Sequence, residues 1–427
     1  MSEIDHSSTL NRRGLLRAAG LAGAGVLAST LPVRAAPAGK PEEVITEIQD
    51  ANRYLGAGVQ AAPYGKPSPF EKNVVRRDVE WLTASRESSI NFTPLHELDG
   101  IFTPNGVCFE RHHGGAPEID PASHRLMIHG LVDKPLVFTM ADLKRFPGRV
   151  TKPYFLECAA NGGMEWKGAQ LNGCQFTHGM VHCVWHTGIP LKTLLDEAGV
   201  KTAGKWVLAE GADSSAMTRS IPMEKALKDC LVVWGMNGEA LRTEQGYPLR
   251  IVVPGWEGNM WVKWLRRLEV GDQPWAQREE TSKYTDLMAD GRARRHTFVM
   301  DAKSIVTNPS PQAPLKQKGP NVLTGLAWSG RGTIKRVDVT IDGGKNWQAA
   351  RIDGPVLPMC LTRFYVDIDW DGRELLIQSR AMDSTGYVQP TKDELRKVRG
   401  LNSIYHNNGI HTWHVHANGE TENVEIS

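Results

Sequence analysis

Residues 335–341 constrain the fold of this chain most, because apolar and polar side chains alternate strictly along them. Alternation puts every second side chain on one face, which is the pattern of a half-buried β-strand. The turn residues Asp342, Gly343 and Gly344 follow, and Trp347 lies on the return. The segment therefore predicts a β-hairpin within a β-rich domain.

The predicted secondary structure changes along the chain. From about residue 303 onward only strand patterns occur, and they favour an antiparallel sandwich of immunoglobulin size. Between residues 103 and 270, predicted strands alternate with short helices, which is typical of a mixed α+β domain. The strands predicted there are residues 125–128, 206–209 and 249–253, the helices are residues 191–198 and 223–226, and the sandwich strands are residues 322–328, 335–341, 364–368 and 374–381.

The amino terminus has the pattern of an export signal. Arg12 and Arg13 precede a leucine pair and an Ala/Gly-rich stretch that is too short to span a membrane. Paired arginines favour the twin-arginine route, which exports folded proteins to the periplasm. We predict a signal peptide at 1–35, an amino-terminal arm at 36–100, a catalytic domain at 101–295 and the sandwich at 296–427. The arm is expected to contain one helix around residues 41–54.

Charge and cysteine usage exclude several classes of protein. The chain has 50 basic and 48 acidic residues, so no basic excess indicates nucleic acid or an anionic membrane as a partner. Six cysteines occur, and none of them are spaced as CxxC. The spacing excludes covalent haem, a zinc ribbon and a ferredoxin-type cluster, so any electron-transfer partner must carry its own redox centre.

Cys158 offers a soft thiolate at the end of an apolar strand. Residues 154–156 predict the strand, and the Gly-rich residues 159–163 predict a turn. A cysteine at such a position is either a small buried hydrophobe or a metal ligand that faces a cavity. Other parts of the sequence favour the ligand.

Two further segments are suited to binding an anion. Residues 103–115 place Arg111 and His113 beside glycines, at alternate positions of an extended strand that point the same way. Residues 234–265 place Arg250 and Lys263 around a Gly-rich loop. A guanidinium binds phosphate through two hydrogen bonds, and glycine lets backbone amides approach. A solvated loop and ordinary surface charge are the alternative interpretations.

Two histidine groups raise the question of zinc. His178, His182 and His186 recur every four residues, so a helix would align them as ligands. Glycines interrupt that segment, and it lacks a carboxylate at the spacing of a hydrolytic zinc site. The three histidines within residues 411–416 do not have a chelating-helix spacing, and we interpret them as tail or sheet-face residues.

Taken in order, the motifs of this chain resemble those of the sulfite oxidase family of molybdopterin enzymes. In the catalytic part they are Thr103-Pro-Asn105, Phe109-x-Arg111-x-His113, Cys158-Ala-x-Asn161, Met236-Asn-Gly238, Gly246-Tyr-Pro-Leu-Arg250, Val253-Pro-Gly255 and Val262-Lys-Trp-Leu265. In the sandwich they are Trp328-Ser-Gly330, Asp342-Gly-Gly344-x-x-Trp347, Arg380-Ala-x-Asp383 and Val388-Gln-Pro390, which resemble the family's dimerisation domain.

This resemblance implies a molybdenum–molybdopterin cofactor bound through one protein thiolate. Cys158 would ligate molybdenum, and a single molybdopterin would supply two more sulfur ligands. Tyr284 matches a tyrosine that lies beside the metal and assists proton and electron transfer. Arg111 also matches a catalytic residue of the family. The positions that match cofactor-binding residues are Phe109, Arg111, His113, Asp213, Gln245, Arg250, Trp261, Val262 and Lys263.

Departures from the family pattern bear on the substrate. Gly162 and Gly163 stand where sulfite-oxidising members carry arginines, and Gln245 stands where a histidine usually contacts the cofactor. A small dianion such as sulfite needs a cationic clamp, in which each charge-assisted hydrogen bond is worth about 1.5–3 kcal/mol. A missing arginine argues against free sulfite. The two glycines are expected to widen the mouth for a sulfur atom presented on a carrier protein.

Residues 165–168 and 172–178 differ from the common family pattern as well. With all these differences the chain most resembles the sulfane dehydrogenase branch of the family, which belongs to the thiosulfate-oxidising Sox system. That branch oxidises sulfane sulfur on a carrier cysteine and passes electrons to a c-type cytochrome subunit. The resemblance also implies a homodimer through the sandwich, within a heterotetramer, and no haem on this chain. The alternatives are a sulfite:cytochrome c dehydrogenase, a cofactor-free binding or assembly module, and a zinc hydrolase that uses the histidines at 178–186.

Overall fold

A computed structural model of the protein describes residues 64, 67–80, 85, 87–288 and 290–426. The predicted signal peptide at 1–35 and the helix expected around 41–54 lie outside these residues. The described residues all belong to one compact unit. None of the helices in this part of the chain is long and apolar enough to cross a membrane.

The strands of the described residues are two to ten residues long. Before residue 300 they are β1 (Arg77–Asp78), β2 (Asn91–Phe92), β3 (Arg125–Gly130), β4 (Leu136–Thr139), β5 (Val150–Glu157), β6 (Val181–Pro190), β7 (Trp206–Gly211), β8 (Thr218–Pro222), β9 (Leu231–Met236), β10 (Glu239–Ala240), β11 (Arg250–Val252), β12 (Leu265–Gly271), β13 (Asp286–Leu287) and β14 (Ala293–Arg294). After it they are β15 (Lys303–Asn308), β16 (Gly319–Trp328), β17 (Ile334–Thr340), β18 (Gln348–Ala349), β19 (Arg351–Ile352), β20 (Thr362–Trp370), β21 (Leu375–Asp383), β22 (Thr412–Val415) and β23 (Thr421–Val424).

The α-helices are four to eight residues long. They are α1 (Met140–Arg145), α2 (Cys174–His178), α3 (Leu191–Ala198), α4 (Met223–Lys228), α5 (Arg278–Thr281) and α6 (Lys392–Arg399). Helix α3 buries Leu191, Leu194, Leu195 and Ala198, which share one face at helical spacing. It ends at Gly199, whose φ of 70° suits glycine at a helix carboxyl terminus.

The catalytic part contains two five-stranded sheets, one antiparallel and one mixed. One has the strand order β10-β9-β6-β5, with β11 also paired to β9, and the other has the order β4-β3-β12-β7-β8. Strands β3 and β12 are parallel, whereas β12 and β7 are antiparallel. The predicted strands at 125–128, 206–209 and 249–253 correspond to β3, β7 and β11, and the predicted helices to α3 and α4. The α+β class is confirmed.

The sandwich packs a four-stranded sheet, β15-β16-β20-β19, against a five-stranded sheet, β18-β17-β21-β22-β23. Strands β17 and β18 pair antiparallel, which confirms the hairpin. Its turn has positive φ at Gly343 (74°) and Gly344 (93°), and the Asp342 carboxylate accepts the amide hydrogen of Asn346 at 2.9 Å. The turn therefore needs the glycines that predicted it.

A buried ion pair joins the two parts beside Cys158. Glu157, the last residue of β5, accepts hydrogen bonds from Lys303 Nζ (3.1 Å) and Asn161 Nδ2 (2.9 Å) through one oxygen, and from Trp328 Nε1 (2.7 Å) through the other. Lys303 Nζ also donates to the Asn161 carbonyl at 2.8 Å. Burial lowers the pKa of Lys303, and Glu157 opposes that shift. Since each charge has a partner, the pair can exist without solvent.

We expect Glu157→Gln to destabilise the protein by about 3–5 kcal/mol, because it leaves the buried Lys303 ammonium without a counter-charge. Lys303→Met alone should cost a similar amount, and the double variant should cost much less than the sum. Urea unfolding measures the three values. Asp196→Asn, which breaks an exposed pair with Lys192, is the matched control and should change stability by less than about 1 kcal/mol. Strictly additive costs would contradict the coupling.

Candidate active site

A cleft with about 640 Å³ of empty space, its open mouth included, lies at the carboxyl end of β5. Every site residue that the sequence nominated lines it. They are Phe109, Arg111, His113, Cys158, Asp213, Gln245, Arg250, Trp261, Val262, Lys263 and Tyr284. Segments far apart in the chain thus meet around one cleft.

Cys158 lies directly after β5 and is 8% exposed, with its environment set by backbone hydrogen bonds. Its amide donates to the Met180 carbonyl at 3.0 Å, and its carbonyl accepts from the Asn161 amide at 2.9 Å. Burial raises the pKa of the thiol, while the backbone amide of Ala160 and the nearby Arg111 oppose that shift. A thiol held rigidly at a cleft wall suits a metal-ligand role.

Tyr284 and His113 form a hydrogen-bonded pair in the cleft, with the phenol oxygen 2.8 Å from His113 Nε2. Burial, and then Arg111, lower the pKa of His113 to about 3, so its ring is neutral near pH 7. Burial and Cys158 raise the pKa of Tyr284 well above its ordinary value. A neutral imidazole can therefore accept the phenol proton in this hydrogen bond.

Lys263 connects residues 103–115 with residues 234–265, the two segments that the sequence predicts to bind an anion. Its Nζ donates to the carbonyls of Arg111 (3.1 Å) and Glu244 (2.9 Å) and lies 2.9 Å from His112 Nδ1. Burial and Arg250 lower the pKa of Lys263 to about 7. An anion bound here would favour the charged ammonium.

Gln245 connects the strand of Phe109 to Arg250. Its Nε2 donates to the Phe109 carbonyl at 2.9 Å, and its own backbone carbonyl accepts from Arg250 Nη1 at 3.0 Å. Arg250 Nη2 donates to the Trp261 carbonyl at 3.0 Å, and burial lowers the pKa of the guanidinium to about 10. Gln245 therefore has a bracing role that uses its amide.

Asp213, Trp261 and Val262 complete the wall from two loops. Asp213 follows β7 and accepts hydrogen bonds from the Ser215 hydroxyl and the Met217 amide. The Trp261 indole donates to the Trp256 carbonyl at 3.0 Å, and the Val262 carbonyl accepts from the Ile251 amide at 3.0 Å. These bonds make the wall rigid on both sides.

His182 is a cleft residue that sequence reasoning missed. It is 1% exposed, and neither of its ring nitrogens has a hydrogen-bond partner; Arg250 Nε and the Asn259 side-chain amide also lack one. Buried polar atoms without partners cost roughly 1–3 kcal/mol each, so a group in the cleft that pairs with them would be stabilised. A phosphate-bearing pterin offers acceptors for the guanidinium and several ring donors and acceptors, and the residues present fit it.

The helical alignment of His178, His182 and His186 is wrong. Helix α2 ends at His178, and His182 and His186 lie on strand β6, where alternate residues share a face. Among the described residues, no group of three metal-type ligands includes any of them. Strand alternation was the signal that would have placed His182 in the cleft. The remaining cleft residues that were missed are His112, Leu156, Met217, Gly258, Asn259 and Trp264.

Gly162 and Gly163 do not widen the mouth, which corrects the expectation from sequence. Residues 404–407 pack against them: Asn407 Nδ2 donates to the Gly162 carbonyl at 2.9 Å, and a Cβ on Gly163 would lie 2.4 Å from the Ile404 carbonyl oxygen. The same segment places the Tyr405 ring 5.2 Å from the Tyr284 ring. Glycine is required at 163 by this packing, so the site lacks arginines there for a structural reason.

Comparisons with protein families agree with this geometry. A family model described as "Oxidoreductase molybdopterin binding domain" matches residues 113–279, and one described as "Mo-co oxidoreductase dimerisation domain" matches residues 294–413. Sulfite oxidase of Gallus gallus is 31% identical over 351 residues, which cover 76% of this chain and 75% of that protein. An NADH nitrate reductase of Volvox carteri is 29% identical, over 82% of this chain and 45% of its own length.

A solved structure is more similar still. The crystal structure of the sulfane dehydrogenase SoxCD from Paracoccus pantotrophus contains a chain that is 63% identical, with a TM-score of 0.89. The match covers 91% of this chain and all of that one.

We expect Gly163→Ala to destabilise the protein by about 1–3 kcal/mol, because the new methyl group overlaps the Ile404 carbonyl and displaces residues 404–407. Gly106→Ala is the matched control, since its Cβ would meet only the end of the flexible Arg242 side chain. Thermal unfolding of both variants gives the comparison. Equal midpoints for the two variants would show that residues 404–407 can move aside without cost.

Proposed function

Because the chain belongs to the sulfite oxidase family of molybdopterin oxidoreductases, we propose that it oxidises sulfane sulfur carried on a protein cysteine during thiosulfate oxidation. The observation that carries this proposal is the 63% identity to a sulfane dehydrogenase over nearly the whole chain. A sulfur-compound oxidoreductase with a molybdenum–molybdopterin cofactor is already established by the family. The carrier-bound substrate is the further step.

Cys158 would supply the thiolate that binds molybdenum, and the cationic wall would hold the pterin and its phosphate. Arg250 and Lys263 contribute charge to this wall, where backbone carbonyls orient them. Arg250 Nε and the His182 ring nitrogens are the unpartnered atoms available to the cofactor. When bound, the cofactor supplies the two-electron acceptor and the centre for oxygen transfer.

The charges of the cleft favour a tethered sulfur over free sulfite. Arg111 is the cation whose charge acts on Cys158, and its Nη1 already donates to the carbonyls of Ser89 and His112. Arg250 and Lys263 are likewise engaged with backbone carbonyls. Positions 162 and 163 contribute no cation. A small dianion would therefore be bound weakly, while a carrier protein brings binding energy from contacts away from the reacting sulfur.

The overall reaction balances with water as the oxygen source. Each two-electron step adds one water oxygen to the outer sulfur and releases two protons and two electrons. Tyr284 and His113 form a hydrogen-bonded pair that can hold a proton at the phenol oxygen beside the cleft. The Arg219 guanidinium lies 5.6 Å from the centre of the Tyr284 ring and keeps that ring in place.

The electrons would pass to a c-type cytochrome subunit in the periplasm. The resemblance to sulfane dehydrogenases supports the cytochrome acceptor, and the twin-arginine pattern at Arg12 and Arg13 supports the periplasmic location. Association would use the sandwich, which matches a dimerisation domain, to give a homodimer within a heterotetramer. Light scattering of the purified complex and cell fractionation test these assignments; a monomer or a cytoplasmic protein would refute them.

The substrate is tested with the purified holoenzyme and a c-type cytochrome as electron acceptor. We expect rapid cytochrome reduction with a carrier protein that bears a sulfane sulfur on its cysteine, and reduction at least tenfold slower with free sulfite. The unloaded carrier is the control. Robust turnover of low sulfite concentrations without a carrier would identify a sulfite dehydrogenase instead. Substoichiometric molybdenum in properly matured protein would favour a binding module.

We expect Cys158→Ser to lower turnover by at least a thousandfold, because a hydroxyl is a poor replacement for the soft thiolate ligand. Its thermal unfolding should stay close to that of the wild type. Cys230→Ser is the matched control, since Cys230 is buried but lies outside the cleft and bonds only the Lys225 carbonyl. Molybdenum analysis and the carrier assay measure the effect. Retained turnover in Cys158→Ser would refute the assignment of the ligand.

A further inference from the structure

Four side chains with metal-binding groups meet on one face of the sandwich, away from the cleft. Strand β22 lies between β21 and β23, with His414 opposite Leu376 on one side and Glu422 on the other. Continuing the register by two residues places Glu374 beside His416. Side chains two residues apart in a strand share a face, so Glu374, His414, His416 and Glu422 form one group, the histidine–carboxylate cluster.

The cluster is compact. His414 Nε2 lies 3.3 Å from a Glu374 oxygen, and His414 Nδ1 lies 3.4 Å from Glu422 Oε1. His416 Nε2 is 3.1 Å from the same Glu422 oxygen, and the two imidazole centres are 4.2 Å apart. One ligand atom each from Glu374, His414 and His416 lie within 4.8 Å of one another.

We propose that the histidine–carboxylate cluster is a binding site for a divalent transition-metal ion of the zinc type. A tetrahedral zinc ion with bonds of about 2.0–2.2 Å places its ligand atoms about 3.4 Å apart. The His414 Nε2–Glu374 separation of 3.3 Å matches this spacing, and all three ligand atoms lie within 4.8 Å of one another. Two imidazoles select zinc over calcium or magnesium, which bind oxygen ligands. Glu374, His414 and His416 supply three ligands, and water takes the fourth position.

Glu422 has a different part in this site. Its Oε1 lies between the two rings, against His414 Nδ1 and His416 Nε2, and this leaves Nε2 of His414 to face the metal and Glu374. A carboxylate behind a metal-bound histidine sets the tautomer and increases the basicity of the ring. Because Glu422 lies on the edge strand β23, a bound ion would link three neighbouring strands of the sheet.

The cluster has no place in the proposed oxidation of sulfur, since none of its residues lines the cleft. A set of hydrogen bonds between histidines and glutamates is the alternative account of the same contacts. The two accounts differ in a measurable way. A metal site binds one ion with saturation and stabilises the folded state by an amount that grows with the logarithm of the ion concentration above Kd, whereas surface histidines that only pair with carboxylates do neither.

The test uses the molybdenum-loaded protein, freed of loosely bound metal by dialysis, and a calorimetric titration with zinc ions alone. We expect one saturable zinc equivalent and a rise in the thermal midpoint with zinc. The double variant Glu374→Gln/His416→Asn should bind at least tenfold more weakly and lose the rise. The control is His129→Asn, a partly exposed strand histidine near Glu269 but outside the cluster, which should behave as wild type.

Cobalt titration gives a second readout, because a tetrahedral site with histidine ligands produces strong visible absorption that the double variant should lack. Molybdenum content equal to that of the wild type shows that the variant has folded. No saturable zinc binding in the wild type, or equal binding in the wild type and the double variant, would overturn the proposal and identify adventitious surface binding only.

Discussion

The buried pair between Glu157 and Lys303 is the interaction on which the rest of the structure depends. It lies at the end of β5, one residue before Cys158, and its lysine comes from the first strand of the sandwich. Both charges are almost fully removed from water, so each needs the other. The position of the cleft thiol is consequently set by contacts from both parts of the chain.

The same dependence on the sandwich extends to residues 404–407. This segment packs on the Cys158 loop, where the His406 amide donates to the Ala159 carbonyl at 2.7 Å, and it places Tyr405 near Tyr284. His406 also lies 3.0 Å from Glu257, which pairs with Arg219 beneath the Tyr284 ring. The cleft is thus a product of the whole unit, although its named residues come from the catalytic part.

Electrostatics divide the cleft into two regions. On one side Arg250 and Lys263 donate to backbone carbonyls, so both side chains are held in position while Arg250 Nε has no partner. Near Cys158, Arg111 is accompanied by tyrosines and by the neutral His113. An anionic cofactor suits the first region, and a sulfur atom with little need for a cationic clamp suits the second.

The sequence by itself determined the elements and the nominated site residues: helix α3 has the predicted bounds, the hairpin forms at Asp342, and every motif residue nominated for the cleft lines it. These features are local, because periodicity and turn residues act over a few neighbours and motifs name their own positions. Only the tertiary structure decided the place of His182 in the cleft wall, the packing against Gly163 and the histidine–carboxylate cluster around His414. Their neighbours come from distant segments, as Gly162 and Asn407 do across 245 residues, and the register and packing of sheets bring such segments together.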